Sequence, residues 1–160
     1  VALAPDHPLV VGWRDLAPFQ QQSAVCVEDQ LRIVERSMVA LIHAQHDDYT
    51  MMSASLNKLA ELPNDTQVFC AHEYTLANLA FAVAVEPNNN DLQQRIKIDQ
   101  QKRADKLPTI PSDIETEKAT NPFLRYRISE VANSAARYQQ SPLINDVAVF
   151  AALREWKNNF

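Results

Sequence analysis

From Tyr49 onward, apolar residues recur at helical spacing between clear breaks. Met52, Leu56, Leu59 and Ala60 share one side of a segment that Pro63 closes, predicting an amphipathic helix over Tyr49 to Leu62. Thr66-Gln67-Val68-Phe69-Cys70 is short, β-branched and aromatic, and follows the turn-forming Pro63-Asn64-Asp65. It predicts a buried strand, with Cys70 as a small buried hydrophobe. Leu76 to Val85 is almost wholly apolar and predicts a helix that Thr75 can cap. Pro87-Asn88-Asn89-Asn90 is a break. Asn90 is expected to cap a helix from Asp91 to about Lys106, with Gln93 completing a capping box. That helix has only Leu92, Ile96 and Ile98 as large apolar residues, so it should lie on the surface. Pro108 and Pro111 bound an extended segment, and Ser112 to Lys118 suits a short helix. Ile128 to Tyr138 and Asn145 to Lys157 are the last helical stretches. Upstream, Gln30 to Ala44 has near-helical spacing. Residues 1–30 sustain no period and predict irregular chain, with short strands at most near Leu9 to Val11 and Ala24 to Val27.

The pattern describes a mostly α chain with a short β component, an α+β class. Its 160 residues can bury a real core. A net charge of -5 argues against non-specific nucleic-acid binding. No apolar run reaches the length of a membrane span, so no membrane partner is expected. The charge is uneven: residues 1–48 hold three basic and seven acidic side chains, and residues 49–160 hold twelve and thirteen. Two cysteines, Cys26 and Cys70, make no disulfide framework, and a reducing, cytoplasmic setting is the default expectation. The first residue is Val1, from which we expect a chain that starts inside a longer reading frame or was processed. Glycine alters the picture most. Usage of about 7% would give roughly eleven glycines, yet Gly12 stands alone. Backbone wrapped tightly around metals needs glycine at close approaches. A chain this poor in glycine suits a helical domain better than a complete metallohydrolase.

Cys70-Ala71-His72-Glu73-Tyr74-Thr75 carries the chemistry, since a strand end can aim an imidazole into a cleft. Alone, a histidine there would more readily be a structural hydrogen-bonder. Its continuation, Leu76 through Pro87, resembles the hydroxyacylglutathione hydrolase (glyoxalase II) family just after its C-[GA]-H-E-Y-T motif. Three further blocks follow the family's order: Ser55-Leu56-Asn57-Lys58-Leu59-Ala60 with Leu62-Pro63-Asn64-Asp65-Thr66, then Ala119 to Arg125, then Phe150 to Phe160. The resemblance covers roughly Asp48 to Phe160, about seven tenths of the chain. It implies three regions. Residues 1–47 would be a divergent or disrupted remnant of a metallo-β-lactamase-like domain, and 48–74 the last helix and strand of that αββα fold. Residues 75–160 would be the family's C-terminal helical domain.

The family hydrolyses S-D-lactoylglutathione to D-lactate and glutathione at a centre of two divalent metals, zinc or iron. By resemblance, His72 is the last ligand of that centre. The family's principal motif, T-H-x-H-x-D-H, cannot be written with His7, His43, His46 and His72. His43-Ala44-Gln45-His46-Asp47-Asp48 has a metal-like composition at the wrong spacing and suits a polar helix end. Asp6-His7-Pro8 resembles a worn G-H-T and Glu28-Asp29-Gln30-Leu31 a worn G-D-T-L, making His7 and Asp29 weak ligand candidates. The resemblance also implies that Tyr74, Arg154 and Lys157 hold the glycine carboxylate of glutathione. Arg154 and Lys157 are i and i+3, hence on one helix face, and guanidinium, ammonium and phenol suit one carboxylate. Cations in a last helical turn could equally complement the helix dipole. Glu155, between them, should face elsewhere. Asn121 to Arg125, Trp156 and Phe160 read as structural.

These readings imply a monomeric glyoxalase II-like thioester hydrolase acting on a glutathione thioester, incomplete and inactive or impaired in this chain. The alternative is a non-catalytic module that binds glutathione conjugates or a partner metal domain. A third expectation concerns origin: residues 1–47 as an out-of-frame or disrupted translation of the family's N-terminal half.

Overall fold

The computed structural model describes residues 48–70 and 72–160, and the expected helix over Gln30 to Ala44 and strands near Leu9 and Ala24 lie outside them. Among the described residues are seven helices and one two-stranded sheet. This agrees with the mostly helical expectation. The αββα portion implied for residues 1–47 lies outside the described residues.

Helix α1, Tyr49–Ala60, starts where Asp48 Oδ1 accepts the Met51 N–H at 2.9 Å, and it stops before Pro63. Strand β1, Gln67–Val68, pairs antiparallel with β2, Ser112–Asp113, with Gln67 opposite Asp113. Helix α2 spans Thr75–Val85 and α3 Asn90–Ala104. Helix α4, Ile114–Thr120, is capped by Asp113, which accepts from Thr116 N at 2.7 Å. Helix α5, Pro122–Arg125, begins with proline at its first position after the cap Asn121. Helices α6, Ser129–Gln139, and α7, Asp146–Asn158, complete the chain, the latter capped by Asn145.

Helix α2 explains the layering. An almost uniformly apolar helix must be covered on several sides. Phe81 and Val85 enter the main cluster with Tyr126, Val131, Ala135, Val149, Phe150, Ala152 and Leu153. Leu79 and Ala82 enter a second cluster with Leu92 of α3. Met52 and Leu56 of α1 also pack on the main cluster, so α1 shares its core. Phe150 sits at the centre, with Phe123 and Tyr126 each at 5.5 Å between ring centroids. Trp156 packs on this core, as expected. Phe160 does not bury: it is 60% exposed and meets Phe81 edge-on at 5.5 Å.

Two arginines tie the layers. Arg125 forks onto Glu86 at 2.7 and 3.0 Å, a residue only 3% exposed. Arg95 joins Asp99, Glu117, Thr120 and Ser112, linking α3 to α4 and β2. The expected cap of α3 moves by one residue. Asn89 caps it, accepting from Leu92 N at 3.1 Å, and Gln93 donates to the Pro87 carbonyl instead of closing a capping box. Of the expected apolar residues of α3, Leu92 is fully buried while Ile98 stays exposed, in keeping with a surface helix. Lys106 and Gln140 take left-handed backbone, φ 60° and 53°, at helix ends where glycine is usual. No helix among the described residues is long and apolar enough to cross a membrane.

Candidate functional site

The linker from β1 to α2 differs from the sequence expectation in burial. Phe69 is half exposed and Cys70 is exposed. The strand pairs over only two residues, and one partner strand among the described residues leaves its far side uncovered. Thr75 is also not a cap. It is the first helical residue, Tyr74 occupies the cap position without a side-chain bond, and the Thr75 hydroxyl lies 2.7 Å from that of Thr109.

His72 and Tyr74 are exposed and stacked, with ring centroids 5.5 Å apart and planes 17° from parallel. Between them, Glu73 reaches to the loop after α3. Its Oε1 accepts from Thr109 N at 3.1 Å and Thr109 Oγ1 at 2.9 Å, and Arg103 Nη1 lies 3.3 Å away. The Thr109 hydroxyl, then its backbone N–H, hold the Glu73 carboxyl below its ordinary pKa, and Arg103 adds to this.

At the end of α7, Arg154 lies 5.3 Å from the Phe123 ring centroid and donates to Asn158 at 3.2 Å. Lys157 Nζ sits 5.2 Å from the Phe81 centroid and 5.7 Å from that of Phe160. It also lies 3.5 Å from the Ala77 carbonyl, in the first turn of α2. Lys157 therefore comes beside the helix that Tyr74 opens. Burial, and next the charge of Arg154, lower the Lys157 pKa from its ordinary value. Neither Arg154 nor Lys157 is paired with a carboxylate among the described residues. Glu155 points away and accepts from Gln139, as expected.

The metal candidates divide differently. Among the described residues no three His, Cys, Asp or Glu side chains group as metal ligands. His72 has an aromatic neighbour there instead. His7 and Asp29 lie outside the described residues. The described part thus offers one imidazole and no companion ligand, and does not fit a two-metal centre by itself. The Glu73–Thr109 link went unread in the sequence, since the two residues are 36 positions apart and no local pattern joins them.

Residues 73–160 match the family described as Hydroxyacylglutathione hydrolase C-terminus, which sets the class: the helical C-terminal domain of a hydrolase family. The chain is 50% identical over 109 residues to the hydroxyacylglutathione hydrolase of Nitrosomonas europaea, covering 68% of this chain and 42% of that protein. It is 51% identical over 109 residues to that of Shewanella pealeana, covering 68% and 41%. With that of Alkalilimnicola ehrlichii the identity is 52% over 107 residues, covering 67% and 42%. The chain belongs to the hydroxyacylglutathione hydrolase family, and spans about two fifths of the length of these curated relatives.

Proposed function

We propose that this chain carries the glutathione-recognition part of a thioester hydrolase acting on S-D-lactoylglutathione, and that by itself it does not turn that thioester over at the family's rate. The observation that carries this reading is Lys157. Its ammonium is partly desolvated, lacks a carboxylate among the described residues, and lies against the first turn of α2, which Tyr74 opens. A cation so placed gains from an incoming anion. The glycine carboxylate of glutathione would accept from Arg154, Lys157 and the Tyr74 hydroxyl. The uncapped N–H groups of α2 add positive potential nearby.

Hydrolysis in the family needs two divalent metals, zinc or iron, and the described residues contribute only His72 toward them. Their chemistry is therefore binding and orientation. The same asymmetry, candidate substrate residues present while His72 has no companion ligands among the described residues, also favours a non-catalytic module that binds glutathione conjugates. Purified chain assayed with S-D-lactoylglutathione plus zinc or iron tests the reading. No turnover above the metal-only background is expected, and ordinary turnover would contradict it.

A further inference from the structure

Among the described residues, Glu73 and Thr75 tie the chain around His72 and Tyr74 to Thr109. Tyr74 N donates to the His72 carbonyl at 3.1 Å, and among the described residues no ladder or helical bond holds His72. Glu73 instead reaches across to the loop after α3, where Thr109 presents both its N–H and its hydroxyl. Thr109 is only 3% exposed, so water cannot readily replace that acceptor. The Thr109 hydroxyl has one proton, and the carboxylate is its acceptor-only neighbour. Arg103 closes the third side.

Geometry turns this latch into an orienting device. The Tyr74 N–H on the His72 carbonyl closes a tight turn with Glu73 at its centre and the two rings on its flanks. With Glu73 tied to Thr109 at the centre of that turn, the flanking His72 and Tyr74 rings are brought against each other. The two rings are found stacked and open to solvent.

We propose that Glu73 is a positioning residue, which sets the direction of the imidazole–phenol pair by binding Thr109; its consequence for affinity rests on the glutathione reading above. Two measurements on the full chain test it. In the first, nuclear Overhauser contacts between the His72 and Tyr74 rings are followed without ligand. They are expected in the wild type and in Glu73→Gln, whose amide oxygen can still accept from Thr109, and are expected to vanish in Glu73→Ala. The second is titration with S-hexylglutathione. Glu73→Ala is expected to weaken binding about tenfold by misdirecting one charge-assisted bond, while Glu73→Gln stays near wild type. In a Tyr74→Phe background, which lacks the phenol hydroxyl, Glu73→Ala should add little. A general loss of structure would instead add its full effect there.

Ring contacts unchanged in Glu73→Ala overturn the proposal, as does a full additive loss on top of Tyr74→Phe. Should the wild-type chain bind no S-hexylglutathione, the glutathione reading falls alone, and the ring contacts still decide the role of Glu73.

Discussion

Arg125→Ala is expected to lower unfolding free energy by about 3 kcal/mol, because it strands a buried carboxylate. Glu86 lies at the end of α2 with its side chain 1% exposed, and both oxygens accept from the Arg125 guanidinium. Cutting the guanidinium away leaves that charge with neither water nor partner, and Glu86 must then be neutralised or dragged to the surface. Arg125 also donates to the Lys118 carbonyl at 3.2 Å, so the end of α4 loosens with it. Replacing both partners by apolar residues, Glu86→Leu with Arg125→Met, should recover most of the loss, since an empty pair costs far less than half of one. Urea unfolding followed by circular dichroism measures both. A loss below about 1 kcal/mol in Arg125→Ala would mean that water reaches Glu86 after all.

The second large effect falls on ligand affinity. Under the proposed reading, Arg154→Ala combined with Lys157→Ala should raise the Kd for S-hexylglutathione by more than about a hundredfold, since each charge-assisted bond to a carboxylate is worth roughly 1.5–3 kcal/mol. Stability should fall by only about 1–2 kcal/mol, because cation–π contacts with Phe123 and Phe81 are lost but no ion pair with a described carboxylate is. The pH dependence supplies an internal check. The charged form of Lys157 binds the anion, and burial lowers its pKa from the ordinary lysine value. Affinity should therefore fall as pH rises through that lowered pKa, earlier than for an exposed lysine. Lys157→Arg keeps its charge throughout and should flatten this slope. Equal slopes in the two proteins would remove Lys157 from the carboxylate site.

Helix ends were legible wherever a strong local signal set them. Pro63 closes the region after α1, and Asn145 caps α7, because both act through their own backbone neighbours. The cap of α3 was harder, since three consecutive asparagines offer equivalent side chains. Asn89 takes the role, and its amide also donates to the Ala119 carbonyl at 3.0 Å, a contact far away in sequence. The buried strand expected over Thr66 to Cys70 failed for a related reason. Its residues have strand propensity, but burial depends on what covers them, and among the described residues β1 pairs with β2 alone. The glycine deficit had a consequence that composition did not specify: Lys106 and Gln140 accept left-handed backbone themselves.

The geometry of the candidate site was legible only in part. Arg154 and Lys157 share a face because helical spacing requires it, and resemblance singled them out. What the sequence could not supply was long-range: the reach of Lys157 to the first turn of α2 spans 80 residues, and that of Glu73 to Thr109 spans 36. Such links arise only when helices pack.

Under the proposed reading, glutathione recognition by this chain does not depend on a metal centre. Titrating S-hexylglutathione into the full chain, once with a strong chelator and once with added zinc, tests it most directly. Saturable binding with the same Kd in both is the predicted result. Binding that appears only when zinc is supplied, or no binding in either, would contradict it.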